Sequence, residues 1–403
     1  MSADSLDPAV ANPLHALHVA ADAEFQSYGP LEIVSTFGEP PAEYAAVHKS
    51  CGLMDLPQRG ILELTGKDRL DFLNRLLTQQ LTDRQTKKGL VAGQGVYSFW
   101  LNTKGRIQAN LNILERGDRT WLEMDRRLIE STRAALEKYL FTEQVKFSPG
   151  DSGWHELALH GPQAATVLAA ASGSDVTALT AMQPMESKSL SVLGVEAVVW
   201  RDDTVGAPGY GIILPTVKAA DVWQGLITQY GPIPRDDTGA TLQPYQRRPM
   251  RPVGWAAFNA ARIEAGRPLF GIDFDDTVLP AETGLLERAV SLTKGCYLGQ
   301  EIVARMHARQ QVARKIVGIR MKDDALPLAG THIYDDQQNE IGGITSSTIS
   351  PLLAGHAICL GIVKKPFFDL GTTLVIPAEG AMRPGTVVAV PFLEKTQNVA
   401  SGG

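Results

Sequence analysis

The sequence predicts an α+β fold of more than one domain that ends in a small β-barrel. Two observations carry this. Up to about residue 310, helical and strand signals alternate without an internal repeat, whereas from Lys315 onward short apolar runs follow one another closely, punctuated by Gly and Pro. The chain also has 403 residues, too many for a single core when domains run to about 100–200 residues.

The elements follow in chain order. Residues 1–28 are Ala-rich, acidic and without Lys or Arg, which argues against a secretory signal or an Arg-rich transit peptide; they read as a flexible start that settles near Gly29. Pro40 and Pro41 open a helix through 43–47. A strand at 61–64 ends at Gly66, and Leu70, Leu73, Leu76 and Leu77 recur at helical spacing. Strands at 96–101 and 107–114 flank Asn102-Thr103-Lys104-Gly105, a hairpin turn. Helices are expected at 128–139, 162–171, 217–230 and 253–265, and strands at 195–200 and 210–214. The Pro-, Gly-, Asp- and Arg-rich stretch 230–252 reads as a loop. The predicted barrel domain, 313–395, takes strands at 316–319, 342–345, 357–363, 373–376 and 386–390, and 396–403 read as a flexible tail. The body is then 29–312.

Hydrophobic residues make up 44% and charged residues 20%, a globular mix. The net charge of -6 provides no global field for gathering nucleic acid, so no direct nucleic-acid partner is expected. No apolar run approaches the roughly 20 residues of a membrane span. Three distant cysteines, Cys51, Cys296 and Cys359, form no CxxC pair, and the histidines show no ligand-like spacing. A disulfide framework and a self-contained metal site are both disfavoured, and a reducing, cytoplasmic setting is expected.

The sharpest segment is Lys294-Gly295-Cys296-Tyr297-Leu298-Gly299-Gln300-Glu301. Gly295 and Gly299 permit tight turning around the cysteine. Helix-favouring residues follow, with Glu301 and Arg305 spaced for an ion pair. Cys296 then lies just before a helix N-terminus with Lys294 close by, and both effects lower a thiol pKa. The competing reading is a small buried cysteine beside a solvated lysine. Tyr97, Phe99 and Trp100 supply walls for a ligand slot or, more commonly, core packing. Gln108 and Asn110 alternate on a strand, so Asn110 is either a ligand contact or a solvated side chain. Arg262 and Glu264 form either a ligand grip or a buried ion pair.

Lys294-Gly295-Cys296-Tyr297-x-Gly299-Gln300-Glu301 resembles the signature of the YgfZ family of folate-binding proteins, which shares the fold of the glycine-cleavage T-protein, an aminomethyl transferase. Cys51-Gly52-Leu53-Met54-Asp55-Leu56, the run 64–73, Arg262-Ile263-Glu264-Ala265-Gly266-Arg267-Pro268 and Pro280-x-Glu282 are similar to stretches of the same group, so the resemblance spans nearly the whole chain. It implies a ring of three domains: two interleaved α+β domains and a C-terminal β-barrel. It implies tetrahydrofolate as cofactor; Cys296 and Lys294 are then the expected reactive pair, and Arg262, Glu264, Asn110, Tyr297 and Gln300 the expected folate contacts. It also implies service to iron–sulfur proteins or their assembly machinery, including a radical tRNA-modifying enzyme; a monomer is expected.

Two departures weaken a transferase reading. The transferase's aspartate pair falls on Ala109 and Asn110, and neither an amide nor a methyl takes a proton from an amine. Its pterin-gripping glutamate falls on Gly211, which has no side-chain acceptor. The leading expectation is therefore a folate-binding accessory factor for iron–sulfur assembly or repair. A one-carbon transferase or demethylase, and a non-catalytic scaffold, are the alternatives.

Overall fold

The computed structural model describes residues 12–83, 85–148, 153–232, 248–309 and 312–393. The chain divides into two compact units: unit 1 comprises Met1–Phe258, Asp276–Pro280 and Leu285–Arg309, and unit 2 comprises Asn259–Asp275, Ala281–Gly284 and Gln310–Gly403.

Among the described residues, unit 1 holds two larger sheets. The first runs in the order Gly95–Leu101, Ile107–Glu115, Arg119–Asp125, Arg59–Thr65, Lys146–Phe147. One of its faces is apolar. Leu62, Trp100, Ala109, Leu111, Ile113, Leu122 and Met124 pack there with Phe72, Leu73 and Leu76 of the helix Arg69–Leu76 and with Ile129 and Leu136 of the helix Ile129–Glu137. Because side chains alternate along a strand, Tyr97, Phe99, Asn110, Asn112 and Glu123 fall on the opposite face. The second sheet runs Ser187–Val192, Val195–Arg201, Gly209–Pro215, Trp154–His160, Cys51–Asp55, Met250–Pro252. Its apolar face carries Leu53, Leu157, Leu159, Val199, Tyr210, Ile212 and Leu214 against the helices Ala164–Ser172 and Ala219–Tyr230.

Local chemistry sets several boundaries. Prolines occupy the first turn of Pro40–Lys49. Ala164–Ser172 stops at Gly173, which takes the left-handed conformation at φ 65°. In the predicted hairpin, the Asn102 side-chain oxygen accepts from Lys104 N at 2.9 Å and from Arg106 N at 3.1 Å, and Gly105 supplies the positive φ.

In unit 2 the strands Arg314–Met321, Ala357–Lys364, Glu340–Ile349, His332–Tyr334, Thr373–Ala378 and Ala381–Val388 close into a barrel. Val317, Ile319, Ile333, Ile344, Cys359, Leu374, Ile376 and Val387 fill it. The predicted α+β body with a C-terminal barrel is therefore the observed architecture.

One expectation is corrected at the N-terminus. A helix at His15–Ala20 and a strand at Glu24–Tyr28 lie within the stretch read as flexible, 1–28. The cause is a single buried polar anchor. His18 Nε2 and Asn12 Nδ2 reach Asp55 Oδ2 at 2.7 and 2.8 Å, while His155 Nε2 meets Asp55 Oδ1 at 2.7 Å. Burial favours the neutral acid of Asp55, but the two histidines outweigh it and hold the carboxyl well below the usual carboxylate range. Residues 1–11, the central part of the predicted 230–252 loop (233–247) and the predicted tail 396–403 lie outside the described residues.

Candidate functional site

Lys294, Cys296 and Tyr297 come together on one loop of unit 1, Gln300 opens the helix that follows, and the loop is held from two sides. On one side, Lys294 Nζ donates to the main-chain carbonyls of Asn74, Leu77 and Gln79 at 2.7, 2.6 and 2.9 Å, so its ammonium closes the C-terminal end of Arg69–Leu76. On the other, Gly299 (φ 79°) lies so close to the hairpin turn that an added Cβ would stand 2.8 Å from Asn102 O and 3.1 Å from Gly105 Cα. The motif's second glycine thus serves close packing as well as turning.

Two expectations change as a result. Lys294 is buried, and its donors are committed to three carbonyls, so it acts as an anchor and not as a free charge beside the thiol. Burial pushes its pKa down to about 7, and the carbonyl acceptors oppose that shift. The helix that follows begins only at Gln300, with Tyr297–Gly299 intervening, so the dipole argument for Cys296 loses its basis, the effect being confined to the first turn. The Glu301–Arg305 pair does form, at 2.8 Å, on an exposed face.

Cys296 is exposed, while Cys51 and Cys359 are buried. With Gly295 and Tyr297 it lines a cleft of about 650 Å³ whose other walls include Asp68, Asp71, Asn74, Arg75 and Glu143. Tyr297 is buried, its hydroxyl pushed up to about 12 by burial, and its ring lies 5.2 Å from Lys294 Nζ. Among the described residues no group of three or more His, Cys, Asp or Glu is placed to hold a metal ion.

Arg262 and Glu264 belong to unit 2, and the structure gives them structural work. Arg262 is fully buried and pairs with Asp273 at 2.6 Å; its remaining donors reach Asn259 Oδ1 at 3.0 Å, Arg267 O at 3.3 Å and Ser346 Oγ at 2.5 Å. Glu264, also buried, accepts from Ser350 Oγ, and its carbonyl accepts from Phe392 N at 2.8 Å. A guanidinium with every edge committed inside the protein is not poised for a ligand, which corrects the expectation of a folate grip. The mechanism is the buried ion pair weighed against it.

Asn110 lies elsewhere again, on the second face of the five-stranded sheet, opposite Phe99 in register. Tyr97 and Phe99 stack edge-on at 5.5 Å on that face, while Trp100 enters the helix-covered core. The aromatic cluster is therefore split between two faces. Next to Asn110 on the face lies a polar group that sequence reasoning missed. Arg59 forks onto Glu123, with Nη2 at 2.7 Å from Oε2, and Asn112 Nδ2 donates to the same Oε2 at 2.6 Å. From the other sheet Glu156 joins them, its Oε1 accepting from the Trp200 indole at 2.8 Å. Burial first, and the nearby Glu123 carboxylate second, hold the Glu156 carboxyl well above the usual carboxylate range. Glu156 Oε2 and Asn112 Oδ1 are buried and have no hydrogen-bond partner among the described residues. The available signal was a carboxylate in the interior of an apolar strand, as in Trp154-His155-Glu156-Leu157-Ala158, because burying such a group is costly without a purpose.

Comparison with known proteins adds the following. The family model of the GCVT N-terminal domain matches residues 14–294, and that of the glycine cleavage T-protein C-terminal barrel domain matches residues 314–394. A protein named aminomethyltransferase from Saccharopolyspora erythraea is 26% identical over 389 residues, 95% of this chain and 98% of that one. Another of that name from Desulforamulus reducens is 27% identical over 392 residues, again 95% and 98%. The crystal structure of the glycine cleavage system aminomethyltransferase T from Bartonella henselae superposes with a TM-score of 0.80 at 24% identity, covering 95% of this chain and 97% of that one, a likeness of fold.

Proposed function

The chain belongs to the glycine-cleavage T-protein family, and on that premise we propose that it binds tetrahydrofolate in unit 1 and handles a one-carbon group there. The observation that carries this reading is the buried polar group between the two sheets. Two buried acceptors without a partner among the described residues, Glu156 Oε2 and Asn112 Oδ1, sit beside the Arg59–Glu123 and Trp200–Glu156 bonds. A native interior rarely leaves such atoms unsatisfied, so they fit a ligand that brings its own polar edge. Tyr97 and Phe99 lie on the same face, packed edge-on at 5.5 Å. Bound tetrahydrofolate would supply N5 and N10, the nitrogens that carry a one-carbon unit.

The end-to-end similarity to proteins named aminomethyltransferase supports transfer of an aminomethyl-derived carbon as the reaction class. This chain's residues limit how it proceeds. Ala109 is fully buried in the helix-covered core, and Asn110 carries an amide, so no carboxylate serves as base at either position. Slow turnover is the expected consequence. The test is formation of methylene-tetrahydrofolate from an aminomethyl donor by the purified protein and by Asn110→Asp. A faster Asn110→Asp variant supports the reading; no turnover and no folate binding by either protein would refute it.

A second reading rests on a different observation, the exposure of Cys296 in its cleft while both other thiols are buried. It assigns the chain to the YgfZ-like members, as an accessory factor for iron–sulfur proteins or their assembly machinery that uses the thiol. Expression of Cys296→Ala in cells lacking the native gene decides this: full rescue of iron–sulfur enzyme activity rules the thiol role out.

A further inference from the structure

We propose that Glu156 reads the cyclic-amide edge of the pterin ring, its carboxyl presenting a hydrogen-bond donor and an acceptor side by side at the place a side chain on residue 211 would otherwise fill. The inference rests on the folate reading above and names the residue that performs the recognition.

Three observations converge on it. The first is steric. Gly211 pairs in register with Trp200 on one side and Ala158 on the other. A Cβ built on Gly211 would overlap Trp200 Nε1 and Glu156 Oε1. The glycine is therefore required by the Trp200–Glu156 pair, and the carboxyl occupies the space its missing side chain leaves.

The second is orientation. The Trp200 indole donates to Oε1 at 2.8 Å and so turns the carboxyl, leaving Oε2 buried and without a partner among the described residues. Glu156 as a whole is 3% exposed, so water does not supply that partner freely.

The third is charge. Glu156 faces Glu123, Asp202 and Arg59. The single cation among them, Arg59, is forked onto Glu123 and also close to Asp125. Burial and the Glu123 carboxylate outweigh the opposing pull of Arg59 and push this carboxyl towards its protonated form. The proton sits on Oε2, since Oε1 already accepts from the indole. The neutral group then offers O–H beside C=O, the complement of an N–H beside C=O in a pyrimidinone ring. It resembles the pairing of two amides.

The test is isothermal titration calorimetry of the full chain with 5-formyltetrahydrofolate, comparing wild type with Glu156→Gln and Glu156→Leu. Glutamine carries the same donor–acceptor pair, so its Kd should stay within about threefold of wild type. Leucine carries neither, and its Kd should rise about 10- to 100-fold. Wild-type affinity in Glu156→Leu overturns the proposal, as does a Glu156→Gln loss as large as that of leucine. If Glu156→Leu does not fold, as judged by circular dichroism, Glu156→Asp replaces it. Aspartate withdraws the carboxyl by one methylene and should weaken binding about tenfold or more; wild-type affinity again overturns the proposal. A wild-type chain that gives no saturable binding overturns the folate reading itself, a result distinct from tight binding by wild type and leucine alike.

Discussion

Replacing Lys294 by Met tests the role that the structure gives this residue. Methionine keeps most of the apolar stem but removes the ammonium from the carbonyls of Asn74, Leu77 and Gln79. The bond to Leu77 O is buried, and losing it leaves an unsatisfied acceptor at a cost of about 1–3 kcal/mol. The bonds to Asn74 O and Gln79 O are partly buried, so water recovers part of their loss, and about 0.5 kcal/mol each remains. The sum is about 2–4 kcal/mol. Urea unfolding followed by tryptophan fluorescence isolates the effect, because all six tryptophans (Trp100, Trp121, Trp154, Trp200, Trp223 and Trp255) lie in unit 1. The same variant frees one anchor of the Cys296 loop, so reaction of that thiol with a disulfide reagent should accelerate. A destabilisation below about 1 kcal/mol with unchanged thiol kinetics would refute the anchor and restore the reading of Lys294 as a thiol activator.

Other predictions follow from the same geometry. A native thiol titration should count one fast thiol, lost in Cys296→Ser. Burial pushes the Cys51 thiol up and the Cys359 thiol up to about 12, so these two should react only after denaturation. Asp55 has a folded pKa below its ordinary 3.8, so its stabilisation is present above that value and is lost as pH falls below it towards the folded pKa. In acid-unfolding curves, Asp55→Asn should remove that part of the pH dependence and cost about 2–3 kcal/mol at neutral pH. Arg262→Met strands the buried Asp273 carboxylate at a cost of about 3–5 kcal/mol, read as a lower calorimetric transition. It should leave 5-formyltetrahydrofolate affinity unchanged at temperatures where the chain stays folded.

Much of the fold was legible in the sequence because the signals there are local. The barrel strands, the Asn102–Gly105 hairpin and the helix opened by Pro40 and Pro41 each carry their own turn or cap chemistry. Strands buried on both faces were harder to find. Cys51–Asp55 is buried at every position and shows no alternation, and Trp154–His160 mixes histidines and a glutamate into an apolar run. The N-terminal helix depends on a bond from His18 to a residue 37 positions away, which no window can see.

The site was legible as a motif but not as chemistry. Lys294 stands two residues from Cys296 in sequence, yet its ammonium bonds to carbonyls 215–220 positions away. Arg262 and Glu264 carried no mark distinguishing a ligand grip from a buried ion pair until Asp273 and Ser350 were placed beside them. Gly211 appeared as a loss when read alone. Only strand register shows that Trp200 and Glu156 close over it.

Whether tetrahydrofolate enters unit 1 at all is tested most directly by titrating it, under anaerobic conditions, into the wild-type protein in a calorimeter. The account predicts saturable heat at one equivalent per chain and a thermal transition that rises with ligand concentration, the stability growing by RT ln(1+[L]/Kd). A flat titration with no thermal shift at millimolar tetrahydrofolate would contradict it.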